Sequence, residues 1–133
     1  MDYVILAINP GSTSTKIAVY NNEQPVFTIN VSHKDRELAA FERVTEQIEL
    51  RAAQVEAALA ANRVDQKSLS AVVGRGGMLP PVKAGGYRVN RAMKDLLLSG
   101  QLPEHASNLG ALLADRIAAP LGIPAFIYDA VSA

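Results

Sequence analysis

Cysteine is absent from the 133-residue chain. Its absence excludes disulfides, thiolate metal centres and cysteine nucleophiles. Aromatic residues make up only 5% of the chain, too few for a platform on which bases could stack. Neither sign of charge predominates, because 13 Lys and Arg face 13 Asp and Glu. The basic residues are scattered and form no stripe, which argues against nucleic acid as a partner. Long apolar runs are also missing. The apolar stretch from Tyr3 to Ile8 stops at Asn9 with no basic segment ahead of it, too short for a signal peptide or a membrane span. The expectation is a cytoplasmic protein with no membrane partner.

What is present suits one domain with a real core. The chain is 49% hydrophobic and 20% charged, apolar enough for burial to offset ordering. Tyr3 to Ile8 reads as a buried strand, cut off by Asn9-Pro10-Gly11. Lys16 to Tyr20 reads as a second strand, ending at Asn21-Asn22, and Val26 to Val31 as a third. Strands so close in sequence pair antiparallel, since parallel pairing needs a long crossover. One long helix is predicted over Asp35 to Asn62, with Leu38, Phe41, Ile48, Val55 and Leu59 at helical spacing. Leu69 to Val73 then forms a strand that enters Gly74-Arg75-Gly76-Gly77. Tyr87-Arg88-Val89 is a short extended piece. Asn90 is placed to cap a helix from Arg91 to about Ser99. A further helix runs from His105 to Ala119, stopped by Pro120 and Gly122. Ile123 to Tyr128 is a last strand, which delivers Asp129 at its end.

Four stretches carry polar residues right after a strand or at a helix start. In the first, Gly11 lets backbone approach a ligand. Ser12, Thr13, Ser14 and Thr15 offer hydroxyls and amides to phosphate oxygens, and Lys16 adds a point charge. This is not a Walker A loop: the spacing fails, and a strand follows where a helix should. A polar hairpin rich in Ser and Thr would look the same. In the second, Arg75 among three glycines can present its fork to a carboxylate or phosphate, or can be a surface Arg on a turn. In the third, Glu104-His105-Ala106-Ser107-Asn108 opens a helix, an end that favours anions, although each residue also reads as a cap or a solvated side chain. The fourth is Asp129, a metal or substrate contact or a turn former. His33, at a strand end, reads as solvated or structural. Ligands of open α/β sheets collect beyond the carboxyl ends of the strands, so the four stretches are expected to converge there.

With these residues in view, the chain resembles the N-terminal domain of the butyrate kinases. These fall within the acetate, propionate and butyrate kinase family of the actin, sugar kinase and Hsp70 superfamily. The matching stretches are Ile8 to Lys16, Val72 to Gly77, Glu104 to Gly110 and Ile127 to Asp129. With their spacing they cover nearly the whole chain, and the first and third are the most specific. The resemblance implies an α/β fold: a ribonuclease H-like, actin-type ATPase domain with a mixed five-stranded sheet. The element order is β-β-β-α-β-α-α-β, with flanking helices. Residues 1–133 would form an N-terminal domain whose C-terminal partner domain is absent, so the expectation is a truncated chain, inactive alone.

The resemblance further implies reversible transfer of the ATP γ-phosphoryl group to a short-chain carboxylate, butyrate or a branched-chain acid, giving an acyl phosphate and ADP. Asn9, Gly11, Ser12, Thr13, Ser14 and Lys16 would handle the nucleotide phosphates. Arg75, Gly76, Gly77 and Asn108 would hold the substrate. Arg75, His105 and Asp129 would be the catalytic residues, and Asn9 and Asp129 would place Mg2+. A homo-oligomer is expected for the full-length protein. Two departures bear on local loop shape: Ala130-Val131-Ser132-Ala133 follows Asp129, where Pro and Val are usual, and Pro103 stands where Gly often precedes the Glu-His pair. The alternatives are an acetate or propionate kinase, and a binding module that kept the fold and lost its chemistry. Intact Arg75, His105 and Asp129 argue against the second.

Overall fold

A computed structural model describes residues 3–22, 24–75, 86–89, 91–99 and 109–128. Three strands open the chain. Strand β1 (Val4–Pro10) pairs antiparallel with β2 (Ser14–Asn21), and β2 with β3 (Gln24–Ser32). Asn22, at φ 57°, turns the chain between β2 and β3. Asn tolerates that left-handed region better than most residues. Its amide donates to Tyr3 O at 2.7 Å, and its Oδ1 accepts from Tyr3 N–H at 2.9 Å.

Strand β4 (Ala71–Arg75) lies parallel to β1, and β6 (Ala125–Tyr128) parallel to β4. These are the five strands expected from the sequence. The short piece around Tyr87 adds a sixth, β5 (Gly86–Arg88), which pairs antiparallel with β6 at the sheet edge. The strand order is β3-β2-β1-β4-β6-β5.

The long helix predicted over Asp35 to Asn62 is not continuous. It comprises α1 (Asp35–Leu38), a 3-10 turn over Val44–Gln47, and α2 (Ile48–Ala61). The Glu46 carboxylate causes the break. It accepts from Arg43 N–H at 2.7 Å and from Glu42 N–H at 3.1 Å. Those amides are then the capped donors of a new helix start and cannot bond back into the turn before it. The predicted stop does hold. Asn62 follows α2 and its Nδ2 donates to Ala58 O at 2.8 Å, while Arg63 turns left-handed at φ 60°.

Helices α3 (Arg91–Leu98) and α4 (Leu109–Ala118) follow. Eight of the ten residues of α4 are buried. Gly122, at φ 69°, ends the 3-10 turn after it. Pleating sends alternate strand residues to opposite faces. Leu6 and Ile8 of β1, Ile17 and Val19 of β2, Val72 of β4 and Ile127 of β6 form the core with Val55 and Leu59 of α2 and Leu109, Leu113 and Ile117 of α4. The opposite face carries residues that are half-buried or exposed, among them Ala7, Asn9, Lys16, Ala18 and Arg75. Among the described residues, no helix is long and apolar enough to cross a membrane.

Helix α4 and β4 approach as closely as two backbones can. A Cβ on Gly74 would run into the Gly110 carbonyl, and one on Gly110 into the Arg75 carbonyl. Glycine is required at both positions by this contact, and the contact fixes the end of β4 that carries Arg75.

Candidate functional site

The register brings three of the expected residues together. Asn9 pairs with Lys16 across β1 and β2, and Ile8 pairs with Gly74 across β1 and β4. One residue further on, Asn9 and Arg75 stand at the ends of neighbouring strands. Alternation then puts the side chains of Asn9, Lys16 and Arg75 on the face away from the core. There they line a cleft of about 530 Å³ with Ala7, Ala18, Tyr20, Thr28 and Val73. Lys16 and Arg75 are exposed, and among the described residues no acid lines the cleft. Two cations, one carboxamide and the hydroxyls of Thr28 and Tyr20 over an apolar floor suit an anion with an apolar part.

The turn from Gly11 to Thr13 joins β1 to β2 at the rim. Ser12 and Thr13 are exposed and Ser14 is half-buried, but none of the three is among the residues lining the cleft. Gly11 N–H donates to Ser14 O at 2.7 Å and closes the turn. Among the described residues, a Cβ on Gly11 would meet nothing closer than Ser14 O at 3.5 Å, an ordinary contact. Gly76, Gly77, His105, Asn108 and Asp129 lie outside the described residues. Among the described residues, no group of three or more His, Cys, Asp or Glu is placed to hold a metal.

Beneath the turn lies a residue that sequence reasoning missed. Arg51 of α2 is 0% exposed. Its Nη1 donates to Gly11 O at 2.7 Å, Ser14 O at 3.0 Å and Thr15 Oγ1 at 3.2 Å. Its Nη2 donates to Ser12 O at 3.1 Å. Gln47, one helical turn earlier, aims the guanidinium by accepting from Nε at 3.0 Å and from Nη2 at 2.9 Å. Among the described residues Arg51 makes no ion pair, and burial pulls its pKa below the usual arginine value. In the sequence it is one Arg in an Ala-rich helix. Its acceptors in the turn lie 36 to 40 residues away and leave no local signature.

His33 completes this support. It is buried, so the structural half of the expectation holds. Its Nδ1–H donates to Gln54 Oε1, which leaves Nε2 to accept from the Thr15 hydroxyl at 2.8 Å. Its backbone N–H donates to Thr13 O at 2.9 Å. Burial pulls the His33 pKa below its ordinary value. The Gln54 hydrogen bond opposes that, the Arg51 charge adds to it, and Glu37 opposes it. The imidazole is therefore neutral at pH 7.

Comparison with known proteins adds family context. No family model matches the chain. A protein described as probable butyrate kinase from Listeria monocytogenes serotype 4b (strain CLIP80459) is 49% identical over 131 residues, covering 98% of this chain and 37% of the relative. The protein of the same description from Coprothermobacter proteolyticus is 47% identical over the same shares. The chain thus spans 37% of the length of these relatives.

Among solved structures, T. thermophilus RuvC in complex with a Holliday junction substrate aligns over 96% of this chain and 64% of its own. Its TM-score is 0.51 at 18% identity. A propionate kinase from Francisella tularensis subsp. tularensis SCHU S4 aligns over 96% of this chain and 36% of its own, with a TM-score of 0.53 at 16% identity. Both likenesses are of fold: an α/β sheet with flanking helices of the ribonuclease H and actin-type ATPase kind. Along nearly all its length the chain is a close match to proteins of the butyrate kinase family.

Proposed function

We propose that the longer protein containing this chain transfers the ATP γ-phosphoryl group reversibly to a short-chain carboxylate, butyrate or a branched-chain acid, giving an acyl phosphate and ADP. The observation that carries this is the meeting of Asn9, Lys16 and Arg75 in one cleft, in a chain 47–49% identical to probable butyrate kinases. Lys16 and Asn9 face the phosphoryl groups, with Gly11, Ser12, Thr13 and Ser14 at the rim. Arg75 holds the carboxylate or the group in transfer, and Gly76, Gly77 and Asn108 are assigned to the same substrate. His105 stabilises charge on that group, and Asp129 helps to place Mg2+ or the reacting carboxylate.

An ionised carboxylate is already a nucleophile, so it attacks in line with no strong general base and no enzyme-bound intermediate. What the protein supplies is alignment and charge stabilisation. The phosphates of ATP suit the donors described. Mg2+ requires oxygen ligands, which the described lining offers on the side chains of Asn9, Thr28 and Tyr20. Asp129 would be the further ligand, and no step of the transfer is assigned to the ion. The remaining part of the longer protein would supply the adenosine site, and the full-length protein would form a homo-oligomer. The chain alone would be inactive and would bind nucleotide weakly.

A panel of C2 to C5 carboxylates with ATP, assayed on the full-length protein, tests the proposal. Turnover is expected to be highest with butyrate or a branched acid. Good acetate turnover with none on butyrate would overturn it.

A further inference from the structure

Arg51 is a buried cation without a counter-ion among the described residues, lying against the inner side of a polar turn. Such a charge is costly unless its surroundings compensate it. Here the compensation comes from carbonyls. Gly11 O, Ser12 O and Ser14 O all accept from the guanidinium, and Thr13 O accepts from His33 N–H. Every carbonyl from Gly11 to Ser14 is therefore held, three by the buried guanidinium and Thr13 O by the backbone N–H of His33.

A trans peptide is planar, with its N–H opposite its C=O. Drawing Gly11 O and Ser12 O inward turns the N–H groups of Ser12 and Thr13 outward, and both residues are exposed. Outward amides in succession make an anion-binding concavity. Behind it the Arg51 charge is screened from water, and in front of it solvent is free to be replaced by an anion. The charge is thus best neutralised across the turn, by something bound to its outer side.

We propose that Arg51 is a positioning residue for phosphoryl recognition: it gathers the turn carbonyls so that the Ser12 and Thr13 amides face a phosphoryl group. Gln47 aims its guanidinium, and His33 holds the one turn carbonyl that Arg51 does not reach. This deepens the proposed kinase reading and rests on it for the identity of the anion. The arrangement of the turn does not depend on that reading. A lysine at position 51 would keep the charge but lacks the planar fork that meets Gly11 O, Ser12 O and Ser14 O together.

The test uses the full-length protein with Arg51→Lys. Steady-state kinetics give KM for ATP and for butyrate separately, with thermal melting alongside. The loss of one charge-assisted contact to the phosphoryl group corresponds to about a tenfold or greater rise in KM for ATP. KM for butyrate is expected to stay within about twofold, since the carboxylate is not bound by the turn. An unchanged KM for ATP, or equal rises in both constants, would overturn the proposal and leave Arg51 a purely structural residue.

If Arg51→Lys does not fold, Gln47→Ala carries the same test, because it removes the group that aims the guanidinium and leaves the charge. A second readout is independent of turnover: titration of inorganic phosphate while the amide resonances of Ser12 and Thr13 are followed. Saturable shifts in the wild type that vanish in the variant support the role of Arg51 even if the wild type phosphorylates no carboxylate, an outcome that would sink the kinase reading alone. Identical shifts in both proteins would refute the role.

Discussion

Gly110→Ala is the substitution for which sequence propensity and structure predict opposite outcomes. On propensity alone, alanine stabilises a helix by up to about 1 kcal/mol over glycine. In the fold, the added methyl would collide with the Arg75 carbonyl, and Arg75 N would stand 3.2 Å from it. Neither is the end of a side chain that could swing away, since Arg75 is held in a parallel ladder with Tyr128. Helix α4 would have to lift from the sheet by on the order of 1 Å to restore van der Waals spacing. Eight of its residues are buried, so the lift loosens much of the core. Overpacking typically costs about 1–3 kcal/mol, and a clash of backbone on backbone sits at the upper end. Subtracting the gain in propensity leaves about 2 kcal/mol of destabilisation. In a chain of this size that lowers Tm by roughly 5–10 °C. Urea denaturation followed by circular dichroism should show a lower midpoint at unchanged m. A variant as stable as the wild type, or more so, would refute the close approach of α4 and β4.

Three further outcomes are expected. Gly11→Ala should melt within about a degree of the wild type, because a Cβ there meets only ordinary contacts. It should nevertheless weaken phosphate binding, since the methyl would occupy the approach to the turn; unchanged binding by titration calorimetry would count against a ligand on that side. Stability should fall with pH through His33. Its folded pKa is depressed, so its contribution is complete above the unfolded value of about 6.5 and is lost progressively as pH drops from there toward the folded value. Melting curves between pH 7.5 and about 5 should show the decline, and His33→Gln should flatten the part of it due to this residue; an equal decline in the variant would remove His33 as the cause. Leu113→Ala, in the centre of α4 and 0% exposed, should cost about 2–5 kcal/mol, read from the denaturation midpoint. A loss below about 1 kcal/mol would mean that α4 does not seal the core.

Strands β1, β2 and β4 were legible because each is a short apolar run that meets Asn or Gly, and such punctuation acts locally. The residues of the cleft were legible for a related reason: Asn9, Lys16 and Arg75 stand at the ends of strands whose pairing follows from their lengths. The long helix was misread because Ala39 and Ala40 continue the periodicity and favour helix. The Glu46 carboxylate that restarts the chain at Arg43 is a side-chain event to which periodicity is blind. Arg51 and His33 were not legible as supports because their partners come from the β1–β2 turn, far away in sequence. Their roles exist only once α2 has docked beneath that turn. The strand at Gly86–Arg88 has three residues and is a strand only by virtue of β6.

The pairing of Asn9 with Lys16 has a consequence for how this hairpin can change over time. Both residues look outward only because the count of residues along β1 and β2 puts them out of step with Ile8 and Ile17. Inserting or deleting a single residue within either strand would exchange the two sets of that strand. The carboxamide of β1 or the cation of β2 would turn into the oily interior, and an isoleucine would be left at the mouth of the cleft. Substitutions among Gly11, Ser12 and Thr13 alter what the turn can grip, whereas a change of strand length turns the site inside out. Homologous hairpins should therefore tolerate variation in the letters of this segment far more readily than variation in its length.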